Sequence, residues 1–145
     1  MTDWRAVLDA QVWVSAAISR AGPARALVRA ARAGAFRIVT SPYVREEVRE
    51  VFARPAVRAF LAPGFDPLEW LEAVELAAAD VVENAEGPPV VPADPEDDPY
   101  LWTAYVGAAT HLVTWDAEVL AVKHFRGAQV VRPADFLRHL RARPR

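Results

Sequence analysis

The sequence predicts an α/β fold: a three-layer α/β/α sandwich around a central, mainly parallel, twisted sheet. Three observations carry this expectation. Short β-rich apolar runs alternate with longer segments whose apolar residues recur at helical spacing. The boundaries hold helix-start and helix-stop signals, prolines behind Ser or Asp and glycines after the last apolar residue. The chain has 145 residues, 53% of them hydrophobic, enough for one core and not comfortably two. Repeated strand-helix order requires crossover connections, which cover both faces of a parallel sheet and favour right-handed crossings. Residues 1–145 are read as one domain.

In order, "WRAVLD" (4–9) is a short apolar run closed by Asp9 and reads as the first strand, and "VWVSAAISR" (12–20) as a helix stopped by Gly22-Pro23. "PARALVRAARAG" (23–34) has Ala, Leu and Arg at helical spacing with a glycine stop, and "FRIVT" (36–40) is a β-rich run. Ser41-Pro42 looks like an N-cap with proline in the first turn, opening a helix to about Phe52. A short helix is expected over Pro55 to Leu61. Asp66-Pro67-Leu68-Glu69 joins a capping carboxylate, a proline and a glutamate three residues on, starting a helix to about Ala78. "DVVE" (80–83) reads as a brief strand, followed by the long loop "NAEGPPVVPADPEDD". Asp98-Pro99 opens another helix, "HLVTW" (111–115) is a strand ending at Asp116, and "AQVV" (128–131) is a last strand before the helix "PADFLRHLRA".

Composition removes several chemistries. With no cysteine there are no disulfides, thiolate zinc sites or cysteine nucleophiles. His111, His124 and His139 stand too far apart in sequence to form a local metal pair, so any metal is expected to be a hard cation held by oxygen. No apolar run approaches a membrane span and no basic-then-apolar leader opens the chain, so a cytoplasmic protein is expected. Net charge is only −2, but every charged residue from Asp66 to Asp98 is acidic, while nine arginines lie between Arg20 and Arg58.

In open parallel sheets, ligands bind beyond the carboxyl ends of the strands. Asp9 ends the first strand, Asp116 follows "HLVTW", and Asp98 precedes a helix, which is the same edge in a strand-helix fold. In "SPYVREEVREVF", Val44, Val48 and Val51 form one helical face, and Glu47 flanks it. A carboxylate half inside a packed face is costly without a partner. Singly, Asp98 and Asp116 read as helix caps, Asp9 as a solvated strand end and Glu47 as a snorkelling or arginine-paired side chain. Jointly, four acids from four elements converge on the ligand edge. Clustered carboxylates repel unless cations neutralise them, and oxygen-only ligands favour Mg²⁺ or Mn²⁺. That combination points to phosphate chemistry, with a water activated for in-line attack.

At these residues the sequence resembles the PIN-domain family, in particular the VapC-like toxins of toxin–antitoxin systems. "VLDAQVWVSAAIS" resembles the family's first strand and acid, and "SPYVREEVREVFARP" its helix with the second acid. "DPEDDPYLWTAYVGAATHLVTWDAEVLAV" resembles the stretch with the third and fourth acids, and "VVRPADFL" the last strand and helix start. The resemblance implies an acidic catalytic and metal site of Asp9, Glu47, Asp98 and Asp116, binding Mg²⁺ or Mn²⁺ in a nuclease that hydrolyses single-stranded RNA. Within the acidic run, alignment to the following helix favours Asp98. Gln11, Ser41, Asp94, Asp97 and Thr114 would stand around the four acids.

One position pair departs from the pattern: the family's Thr-Asn after the first acid is Ala10-Gln11 here. That keeps open a PIN-like scaffold that binds RNA or an antitoxin peptide without cleaving. Another doubly wound Mg²⁺-dependent phosphohydrolase fits less well. A haloacid-dehalogenase-like phosphatase expects an aspartate where Gln11 stands, and a receiver domain expects an acidic neighbour that Asp9 lacks. Arg25, Arg29 and Arg32 are candidate contacts to an RNA backbone. The resemblance also implies a homodimer and a cognate antitoxin, and no membrane partner is expected.

Overall fold

The computed structural model describes residues 4–91 and 98–143. The acidic positions Asp94 and Asp97 lie outside the described residues. Six strands form one sheet: β1 (Arg5–Leu8), β2 (Arg37–Thr40), β3 (Ala79–Val81), β4 (His111–Val113), β5 (His124–Phe125) and β6 (Ala128–Val131). Eight helices connect and flank them: α1 (Ala10–Ile18), α2 (Pro23–Arg32), α3 (Pro42–Ala53), α4 (Pro55–Arg58), α5 (Pro67–Ala78), α6 (Asp98–Val106), α7 (Ala117–Leu120) and α8 (Pro133–Ala142). The strand order is β3-β2-β1-β4-β6-β5, parallel throughout except for the β5–β6 pair. This is the expected α/β architecture.

The central strands are apolar on both faces because helices cover both faces. Ala6, Val7 and Leu8 of β1 and Leu112 and Val113 of β4 are fully buried. Helix α6 packs across β1, β2 and β4, while α8 packs on β4 and against α2. Arg5 and Arg37, register partners on β1 and β2, both pair with Asp80 of β3, at 2.7 and 2.8 Å.

Helix starts follow the sequence signals. The Ser41 hydroxyl accepts the Val44 amide, and the Asp66 carboxylate accepts the amides of Leu68 and Glu69. Pro23, Pro42, Pro55, Pro67 and Pro133 each occupy a first turn, where a missing N–H costs nothing. Two elements were not expected from sequence: the single turn α7, and strand β5, paired antiparallel with β6 at the sheet edge. Arg126 and Gly127 both take positive φ between β5 and β6, the geometry of a two-residue hairpin turn. Among the described residues, no helix is long and apolar enough to cross a membrane.

The chain runs outward from β1 to β2 and β3, then returns across β1 to β4. The order therefore reverses between β1 and β4, and the crevice at their carboxyl ends is the favoured ligand position in such sheets.

Candidate active site

Asp9 and Asp116 follow the two strands that flank this crevice. Asp9 closes β1, its amide donating to the Val113 carbonyl of β4 at 3.1 Å. Its carboxylate caps α1, Oδ1 accepting the Gln11 amide at 2.7 Å, and Oδ2 accepts the Thr114 hydroxyl. Thr114 is fully buried, and its oxygen also accepts the Asp116 amide at 3.0 Å. One hydroxyl thus ties the two strand ends together. Asp116 in turn caps α7 by accepting the Glu118 amide at 2.8 Å.

A cavity of about 380 Å³ opens here, lined by Asp9, Ala10, Gln11, Glu47, Tyr100, Trp115 and Asp116. Three of the four expected acids therefore border one space, as does Gln11. Burial pushes the Asp9 carboxyl above its ordinary range, against the lowering pull of Thr114 and the amides of Gln11 and Val12, and nearby Asp116 adds to the rise. Three carboxylates, one of them desolvated, around one cavity match in kind the donors that hard divalent cations take. Among the described residues, however, no three His, Asp or Glu side chains stand close enough to share an ion.

The fourth acid has another employment. The Asp98 carboxylate accepts the amides of Val90 at 2.9 Å and Val91 at 2.8 Å, and it does not line the cavity. It ties the segment before the acidic run to the start of α6. Helix α6 instead presents Tyr100 to the cavity, a residue not among those expected at the site from sequence. Tyr100 is 4% exposed, and burial, then the Glu47 and Asp9 carboxylates, push its phenol above the ordinary value. A buried tyrosine two residues after a helix-start acid carries no sequence signal that separates it from ordinary core.

Ser41, expected among the residues around the acids, does not itself line the cavity. It is fully buried, caps α3, and lies 2.8 Å from the Thr103 hydroxyl of α6. Because Thr103 donates to the Pro99 carbonyl, Ser41 is the donor in that pair. It locks α3, which carries Glu47, to α6, which carries Tyr100, without bordering the cavity.

Arg25 is committed to structure. Its guanidinium donates to the carbonyls of Ala16 at 2.9 Å and Ala17 at 3.1 Å, satisfying the orphan carbonyls that end α1. Arg29 and Arg32 are exposed in the last turn of α2, where positive charge complements the helix dipole. None of the three lines the acidic cavity.

The fold is similar to the crystal structure of PAE2754 from Pyrobaculum aerophilum, with a TM-score of 0.57. At 20% sequence identity, covering 97% of this chain and 91% of that one, this likeness speaks to fold alone. No curated protein matches the chain significantly. The family described as PIN domain matches residues 5–118, a span that runs from β1 into α7 and holds Asp9, Glu47, Asp98 and Asp116. PIN domains are generally nucleases and usually bind Mg²⁺ or Mn²⁺. With its acids set at the switch point of the sheet and the family match extending over most of its length, the chain belongs to the PIN-domain family.

Proposed function

We propose that the protein is a Mg²⁺- or Mn²⁺-dependent endoribonuclease that hydrolyses phosphodiester bonds of single-stranded RNA, and that it acts as the toxin of a toxin–antitoxin pair. The observation that carries the nuclease reading is the Asp9–Thr114–Asp116 bridge facing Glu47 across an oxygen-lined cavity at the switch point. The toxin role is supported by the sequence resemblance, as are the cognate antitoxin, the homodimer and a cytoplasmic setting.

On this reading the cation would be held from among Asp9, Glu47 and Asp116, the acids that border the cavity, with Asp98 at the adjoining helix start as the fourth acid of the family pattern. When bound, the cation supplies Lewis acidity toward a phosphoryl oxygen and toward a water. The chain's own contribution is placement. Thr114 fixes the Asp9 carboxylate and the turn bearing Asp116, and the α1 start holds the other Asp9 oxygen. Trp115 is 40% exposed at the cavity rim. An exposed indole stacks on a base only when that base is unpaired, which favours a single-stranded substrate.

A second reading, a scaffold that binds RNA or an antitoxin peptide without cutting, is favoured by two observations. Ala10-Gln11 replaces the family's Thr-Asn, and three acids do not converge among the described residues. Cleavage of a labelled single-stranded RNA with Mg²⁺, Mn²⁺ or EDTA separates the two readings. The nuclease reading expects cation-dependent cutting that falls at least 100-fold in Asp9→Asn and Asp116→Asn, because each removes a ligand charge. Absence of cutting in either cation, together with no Mn²⁺ binding by calorimetry, leaves the scaffold.

A further inference from the structure

We infer that Tyr100 is a positioning residue for Glu47: its hydroxyl donates to the Glu47 carboxylate and holds it toward Asp9 and Asp116 when the cavity is loaded. The inference rests on the cation-dependent reading above. Three observations support it. The Tyr100 side chain is buried yet lines the acidic cavity, so its polar end is directed at the acids rather than at bulk water. Its hydroxyl is buried and has no hydrogen-bond partner among the described residues, although Glu47 and Asp9 line the same cavity. A buried hydroxyl with an unmade bond is uncommon in folded proteins and calls for an explanation. The helices bearing the two residues are also fixed to each other, Ser41 at the start of α3 bonding Thr103, one turn after Tyr100 on α6.

The alternatives for this hydroxyl are limited. A phenol, with an ordinary pKa of about 10, is neutral at pH 7 and can donate to a carboxylate such as that of Glu47. A neutral donor beside a carboxylate orients it without cancelling its charge, as the outer partners of metal ligands do. Glu47 is the acid that most needs such a partner. Asp9 and Asp116 are held by Thr114 and by helix-start amides, whereas Glu47 projects from the middle of α3.

Tyr100→Phe removes one oxygen and keeps the ring, so the core packing survives. The measurements are Mn²⁺ affinity by calorimetry, RNA cleavage and the thermal midpoint without cation. We expect Mn²⁺ binding and cleavage to weaken about 10-fold or more, as loss of an outer partner commonly does. The midpoint should stay unchanged or rise, since an unpaired buried hydroxyl is removed. In a Glu47→Gln background the same change should add no further loss, because Tyr100 acts through Glu47. Wild-type Mn²⁺ affinity and cleavage in Tyr100→Phe would overturn the assignment and leave the nuclease reading intact. So would a loss that multiplies with Glu47→Gln, or one that tracks a fall in midpoint, since either marks a role in packing. A wild-type protein that neither binds Mn²⁺ nor cuts RNA removes both together.

Discussion

A single hydroxyl joins the acids that follow β1 and β4. The Thr114 hydroxyl donates a hydrogen bond to the Asp9 carboxylate and accepts one from the Asp116 amide, so one buried group ties the two strand ends that bear these carboxylates. Thr114→Val keeps the shape and removes both bonds. Hydrogen bonds to charged groups contribute about 1.5–3 kcal/mol, so a loss of that order in denaturant-derived stability is expected. RNA cleavage should fall at least 10-fold, and a variant with wild-type stability and cleavage would show that the bridge is dispensable. Asp9 and Asp116 were legible because a strand end fixes where the next residue lies. That Tyr100 rather than Asp98 borders the cavity was not. The azimuth of a helix's first turn depends on how the whole helix packs, and whether its carboxylate turns to the cavity or to the amides of Val90 and Val91, eight and seven residues earlier, is not written in local propensity.

At the scale of elements, the long helices and the inner strands were written in local chemistry, caps and breaks at one end and apolar periodicity between. Helix α7 and strand β5, four and two residues long, are too short for periodicity to register. Their existence follows from neighbours: α7 from the Asp116 cap, β5 from the hairpin that pairs it with β6. The link from α6 to β4 shows how closely elements approach. A Cβ at Gly107 would lie 2.2 Å from the buried Val39 side chain of β2, and a β-branched residue has little freedom to turn away. Gly107→Ala should therefore cost about 1–3 kcal/mol of overpacking, read from chemical denaturation. Val39→Ala in the same chain should recover part of that loss. An unchanged midpoint in the single variant would mean that Gly107 and Val39 do not approach this closely.

Across the whole molecule, the end of the sheet opposite the acids holds a second polar assembly. His111 on β4 stands 3.1 Å, nitrogen to nitrogen, from His139 on α8, and its ring stacks on Trp4 at 5.0 Å. Burial, with His139 adding to it, lowers the His111 pKa from 6.5 to about 4. A folded-state pKa below the unfolded one means that the unfolded chain binds more protons across that window. Stability is then fully present above about pH 6.5 and is lost as the pH falls toward 4, by as much as about 3 kcal/mol. Melts between pH 4 and 8 should show this decline, and His111→Phe, which retains an aromatic ring there, should flatten it. Parallel curves for the two proteins would assign the acid loss elsewhere.

By itself the sequence determined the alternation of strands and helices, the single core, the positions of the caps, and two acids at strand ends. These rest on interactions within a few residues, which local composition specifies. The tertiary structure alone decided the order β3-β2-β1-β4-β6-β5, the meeting of His111 with His139, the Thr114 bridge, and which face of α6 reaches the cavity. Those depend on segments up to about a hundred residues apart finding a common packing, a many-body compromise of burial and hydrogen bonding that no local window contains.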